Sequence, residues 1–213
     1  MKFDFHIHSK FSTDSKLEPE EIIEHAVSIG LDGIAITDHN TMDGFLAASK
    51  IKQDKLWIVA GQEISTEIGH VIALFADDFI EGRIFLDVIE NIKSKNGLAV
   101  LAHPYKFPNC FLSDDVVEKV DAIEVFNYRN NLPFPFLENF KARKLADKFN
   151  IPGLASSDAH IIEDIGKALS VVTQEIDKTS NFDLKKAILD KQIEVQGKEI
   201  SFLKTVERII NFK

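Results

Sequence analysis

Cysteine is almost absent from this chain: Cys110 stands alone among 213 residues. That excludes an intramolecular disulfide and any metal site built on several thiolates. Beside Phe111 and Leu112, Cys110 reads as a small buried hydrophobe. Arginine is scarce too, with four residues, and the net charge is −9. Nothing therefore draws the whole molecule to a phosphate backbone or an acidic lipid surface, although a small local basic site stays open. No apolar run approaches the ~20 residues of a membrane span. No signal-peptide core follows Lys2, so the expectation is a cytoplasmic protein without a membrane partner. Tryptophan and tyrosine are rare, whereas phenylalanine occurs 17 times, which implies a non-polar aromatic core. With 45% hydrophobic residues the chain can bury a sizeable core, and global disorder is excluded. Repeats, low-complexity tracts and Pro/Gly/Ser linkers are all missing. Residues 1–213 read as one domain.

Short apolar runs alternate with helical periodicity over most of the length. Strands are expected at Phe3–His8, Gly33–Ile36, Leu56–Ala60, His70–Phe75, Leu98–Ala102, Ala122–Phe126 and Leu169–Thr173. Helices are expected from Pro19 to Gly30, over 45–52, 84–95, 114–120, 134–149 and 183–189, and in the apolar tail after Gly197. That order argues for an α/β fold with a mainly parallel sheet, a barrel or barrel-like.

Six of the seven histidines then fall into a pattern. His6 and His8 are separated by one residue, so an extended strand points both the same way. His39, His103 and His160 each follow an apolar run on its C-terminal side, as do Glu63, Asp158 and Arg129. In a parallel barrel these ends converge on one mouth, where active sites are built. His70 stands at the start of its strand and reaches the mouth only if residues 63–75 form a hairpin. His25, on the Glu-rich side of its helix, reads as a surface residue. Counting candidates gives His6, His8, Asp14, His39, Glu63, His70, His103, Asp158 and His160. Nine N/O ligands suit Zn, Mn or Fe. At four to six ligands per ion, they imply two or three divalent ions sharing a bridge.

Five segments in order are Phe5-His6-Ile7-His8-Ser9, Ile36-Thr37-Asp38-His39-Asn40, Gly61-Gln62-Glu63-Ile64-Ser65, Ala102-His103-Pro104 and Ser157-Asp158-Ala159-His160. Together they closely resemble the PHP (polymerase and histidinol phosphatase) family. The resemblance implies a distorted seven-stranded β/α barrel with a trinuclear metal site and phosphoesterase chemistry. It implies one ion at His6, His8, Glu63 and Asp158, and a second at Glu63, His70 and His103, with Glu63 bridging. A third would sit at Asp14, His39 and His160. The chain departs from the family pattern at Ser15 and Ser156, where glycine is usual.

The chemistry follows from the ligand set. A water shared by two cations loses its proton near neutral pH, and the same cations neutralise phosphate oxygens and the leaving alkoxide. Arg129 could grip a phosphate bidentately, with Lys106 and Tyr105 as further candidates. Asp4, by strand alternation, falls on the His6 side and reads as an outer partner of a ligand histidine. The expected function is a metal-dependent phosphoesterase acting on a small phosphorylated metabolite or nucleotide. The catalytic candidates are His6, His8, Glu63, Asp158, His160 and Arg129. The rivals are an exonuclease of the same fold and a non-catalytic metal-binding module.

Overall fold

The computed structural model describes residues 1–106, 112–129, 135–177 and 180–198. Cys110 and the apolar tail after Gly197, apart from Lys198, lie outside them. Along the chain run β1 (Lys2–Ile7), α1 (Pro19–Ser28), β2 (Gly33–Ile36), α2 (Asp43–Ala48), β3 (Trp57–Val59), β4 (Gly61–Thr66) and β5 (Gly69–Leu74). Next come α3 (Phe85–Ser94), β6 (Leu98–Leu101), α4 (Asp114–Val117), β7 (Ala122–Asn127), α5 (Pro135–Phe149) and β8 (Gly153–Ser156). A short 3-10 turn, Ile162–Asp164, precedes β9 (Ala168–Val172), α6 (Asn181–Leu189) and β10 (Ile193–Gly197). Among the described residues no helix is long and apolar enough to cross a membrane.

The strands form two five-stranded sheets, ordered β10-β9-β1-β2-β3 and β4-β5-β6-β7-β8. They meet at two parallel bridges, Ile7 with Ala159 and His39 with Glu63. One residue, Ala60, separates β3 from β4, so the pair acts as a single bent stave. Counted that way, β1, β2, β3–β4, β5, β6, β7 and β8 make the seven staves of a distorted barrel. The sheet is less parallel than the sequence pattern suggests. β4 and β5 form an antiparallel hairpin, β5 also runs antiparallel to β6, and β9 and β10 add an antiparallel pair beside β1. β4 and β10 carry too much polar sequence (Gln-Glu-Ile-Ser-Thr, Ile-Glu-Val-Gln-Gly) to read as strands by hydrophobicity.

One apolar cluster fills the end of the barrel where the parallel strands begin. It holds Phe3, Phe5, Ala35, Val59, Ile72 and Val100, and α6 seals it with Leu184, Ala187 and Ile188. Outside, α1 packs Ile22, Ile23 and Ala26 against Ile7, Ile34 and Ile36. α3 packs Phe85, Val88, Ile89 and Ile92 against Val71, Ala99 and Leu101. Pro19 at the first turn and the Glu18–Glu21 capping box set where α1 begins.

Two strands do not keep strict alternation, and both irregularities face the histidines. On β1, Asp4 pairs with Ile34 and Ile7 with Ile36, so one extra residue bulges between them. On β7, Glu124 pairs with Leu154 and Phe126 with Ala155, which again leaves one residue over. A bulge reverses the side-chain phase beyond it. Phe3 and Phe5 therefore enter the interior cluster, while Ile7, of the same parity, faces α1. This corrects the placement of Asp4, which does not share the His6 side. Its carboxylate accepts from Ser157 N (3.0 Å) and Gly166 N (2.8 Å), and so pins the turn that carries Asp158 and His160.

Candidate metal centre

Beyond the bulge, His6 and His8 project together as expected, both fully buried. His8 Nδ1 donates to Ser12 Oγ (3.0 Å), and His6 Nδ1 to Glu124 Oε1 (3.1 Å). With those nitrogens engaged, the two Nε2 atoms face each other at 3.0 Å. Across from them, Glu63 Oε2 lies 3.5 Å from His6 Nε2 and 3.4 Å from His8 Nε2. Asp158 Oδ1 lies 3.5 and 3.3 Å from the same two atoms.

The hairpin that His70 requires is present, with Ser65 opposite His70 in its register. His70 Nδ1 reaches Glu63 Oε1 at 3.0 Å, and His103 Nε2 meets the same oxygen at 3.0 Å. On the other side, Asp14 Oδ2 lies 2.9 Å from His160 Nε2, and Asp14 Oδ1 lies 3.6 Å from His39 Nε2. All nine candidate ligands thus converge on one mouth. Among the described residues, three groups could each hold an ion: His6, His8 and Asp158; His6, Glu63 and His103; and His8, Asp14, His39 and His160. Against the grouping implied by the resemblance, the first group lacks Glu63 and the second lacks His70, while His6 joins the second and His8 the third.

The donor set fits divalent cations. It offers only imidazole nitrogens and carboxylate oxygens, as suits Zn, Mn or Fe. Moreover, His39 Nδ1 and Glu63 Oε2 are buried with no hydrogen-bond partner although they lie 2.8 Å apart. Buried polar atoms without partners are costly unless something else satisfies them. A cation between them would do so. Two ligands also carry left-handed backbone, His103 at φ 26° and Asp158 at φ 54°. Non-glycine residues rarely adopt that region, and such strain concentrates at functional sites.

Two structural carboxylates escaped the reading of the sequence. Asp38 takes Ser9 N (2.7 Å), Ser9 Oγ (2.6 Å) and Ser12 Oγ (2.7 Å), and so anchors the loop that carries Asp14. Gly44 makes room for it, since a Cβ there would stand 1.9 Å from Asp38 Oδ2. Glu124 is the second. Its signal was a lone carboxylate inside the apolar run Ala-Ile-Glu-Val-Phe, where alternation marks it as buried. Arg129 lies two residues past β7, near enough to Lys106 for its charge to oppose that ammonium. Lys106 itself pairs with Asp158 Oδ2 at 2.8 Å. His25, on α1, takes no part.

Comparison with known proteins gives the family and the fold. Residues 4–96 match the PHP domain model and residues 136–192 the PHP-associated model. An uncharacterized protein of Methanocaldococcus jannaschii is 38% identical over 141 residues, 60% of this chain and 82% of that protein. The chain belongs to the PHP family. A second uncharacterized protein of that archaeon is 30% identical over 178 residues, 79% of this chain and 69% of its own length. The fold is also that of a Bacteroides vulgatus crystal structure, a two-domain protein containing a predicted PHP-like metal-dependent phosphoesterase. That match has a TM-score of 0.77 at 19% identity and covers 98% of this chain and 69% of the other.

Within this PHP chain, both departures from the family pattern are hydrogen-bonded into the centre. Ser15 Oγ donates to the His8 carbonyl (2.9 Å), with the His160 carbonyl at 3.4 Å, so it ties the Asp14 loop to two ligand segments. Ser156 Oγ donates to Glu124 Oε1.

Charge in the metal-free centre is divided unequally. Burial alone would lower the His39 pKa, but Asp14 and Glu63 raise it to about 10. Burial likewise opposes the charge on His6, yet Asp158, Glu63 and Glu124 hold its pKa well above the ordinary value. His8, whose burial dominates, is pushed down to about 3. His39 therefore contributes stability to the metal-free fold that is complete below its ordinary 6.5 and is lost as pH rises through about 10. Ligation needs neutral imidazoles. At pH 8, loading the centre should thus expel roughly two protons per chain, from His39 and His6. Calorimetric titration with Zn²⁺ in buffers of different ionisation enthalpy measures this number. Heats that do not vary with the buffer would contradict it.

Proposed function

We propose that this chain is a phosphoesterase that uses two or three divalent ions, Zn, Mn or Fe, to hydrolyse a small phosphorylated metabolite or nucleotide. The observation that carries the reading is the sharing of ligands: His6 and His8 each belong to two donor groups, and Glu63 turns its two oxygens toward different histidines, at a single mouth. A hydrolase working with one ion needs three or four ligands, whereas adjoining sites suit in-line displacement at phosphorus. Bound there, the ions would activate water and neutralise charge on the phosphate and the leaving oxygen.

The chain's own residues do the rest. Glu63 places one carboxylate oxygen toward His70 and His103 and the other toward His6, His8 and His39. Asp158 is held between the His6–His8 pair and Lys106. Lys106, with Arg129 beyond it, provides positive charge on the rim for phosphate oxygens, the guanidinium in bidentate fashion. Tracking a long strand needs a basic groove and shows steep salt dependence. A chain of net charge −9, whose local positive charge at the mouth would come from the ions with Lys106 and Arg129, favours one or two phosphates. Hydrolysis of sugar or nucleoside phosphates by the metal-loaded protein, with modest salt dependence, is the expected result of a competition between a panel of small phosphates and a single-stranded oligonucleotide. Processive trimming of the oligonucleotide with negligible turnover of every small phosphate would put an exonuclease in its place.

A further inference from the structure

Glu124 lies in the middle of β7, 1% exposed, and makes no approach to a metal group of its own. All four of its acceptor positions are used. Oε1 accepts from His6 Nδ1 (3.1 Å) and Ser156 Oγ, and Oε2 accepts from His103 N (2.8 Å) and Asn127 Nδ2 (2.9 Å). These donors come from β1, β8, the end of β6 and β7 itself, so one carboxylate joins four staves of the barrel at the mouth.

Two consequences concern ligand atoms. A carboxylate can only accept, so the proton of neutral His6 must sit on Nδ1 and its Nε2 lone pair must face the centre. The bond to His103 N–H holds the left-handed turn at φ 26° that sets His103 Nε2 3.0 Å from Glu63 Oε1. Among its hydrogen bonds none goes to Asp14, His39 or His160.

We infer that Glu124 is a positioning residue that governs occupancy of the His6–His8–Asp158 and His6–Glu63–His103 groups and leaves the His8–Asp14–His39–His160 group, none of whose members it bonds, to fill independently. The inference rests on the reading of these groups as metal sites, and not on any substrate. A failed substrate panel with selective metal loss would therefore sink the proposed activity alone.

Glu124→Gln is the informative variant. An amide has one oxygen and one NH₂, and four donors converge on it, so two of them must confront the NH₂. Either His6 moves its proton to Nε2 and loses its ligand atom, or the His103 turn loses its anchor. Loss of an outer partner typically weakens metal binding 10–100-fold. Zn²⁺ analysis under graded chelation should accordingly find Glu124→Gln keeping one ion per chain where the wild type keeps more. Adding His160→Ala should remove that last ion. His25→Ala, on α1 outside the centre, should keep the wild-type stoichiometry. Wild-type metal content in Glu124→Gln, or loss spread evenly over all groups, overturns the proposal. A direct reading needs no variant: ¹⁵N-histidine NMR of the zinc-loaded wild type should show a slowly exchanging proton on His6 Nδ1. A proton on Nε2 instead would also overturn it, whether or not Glu124→Gln folds.

Discussion

Glu63→Ala should cost more metal and more activity than loss of any single histidine. The physical reason is that Glu63 offers its two oxygens to different sets of ligands. Oε1 meets His70 and His103, each at 3.0 Å, and Oε2 meets His39 at 2.8 Å with His6 and His8 within 3.5 Å. Removing it would open the donor sets on both of its oxygens at once and leave a ring of buried and half-buried imidazoles without their shared counter-charge. Metal affinity should fall by more than the ~10–100-fold expected from losing an outer partner, and turnover by more than about 100-fold, the scale on which one electrostatic group acts. Metal analysis and turnover of the purified variant test this. His25→Ala, on α1 outside the centre, should change neither quantity. Wild-type metal content in Glu63→Ala would refute the bridging role.

Phe3→Ala should have the largest effect on the fold. Phe3 is fully buried, stacks on Phe5 with ring centroids 5.1 Å apart, and meets Trp57 edge-on at 5.8 Å. Its ring lies over Gly33, where a Cβ would come within 2.5 Å of it. Barrel interiors close-packed in this way cannot collapse around the void, so truncation should cost ~3–5 kcal/mol. For a chain of this length that lowers Tm by roughly 6–20 °C. Zn²⁺ should raise the melting temperature of both proteins, because the bulge separates Phe3 from the ligand half of β1 and bound metal stabilises only the folded state. Thermal melts with and without metal give both answers. A shift of a degree or two, or loss of the response to Zn²⁺, would show that the packing argument or the independence of the two halves is wrong.

The amino-acid sequence by itself determined the class of fold and the nine candidate ligands. Both rest on local signals: alternating helical and strand periodicity, and polar residues of one chemical kind at the ends of apolar runs. It also determined the N/O character of the centre, since a chain with one cysteine has no thiolate set to offer. The tertiary structure decided what depends on register. β4 is recognisable only from its pairing with β5, because four of its six residues are polar, and that hairpin is what delivers His70. Strict alternation put Asp4 beside His6, but one extra residue in β1 reverses the phase and sends Asp4 to the Ser157 turn. The identity of a bulged residue leaves no compositional trace, because the bulge is a property of two paired strands. For the same reason Glu124 could be recognised as buried yet not as the partner of His6: the two lie 118 residues apart in sequence. Only the meeting of the two sheets, at the Ile7–Ala159 bridge, brings β7 and β1 to the same mouth.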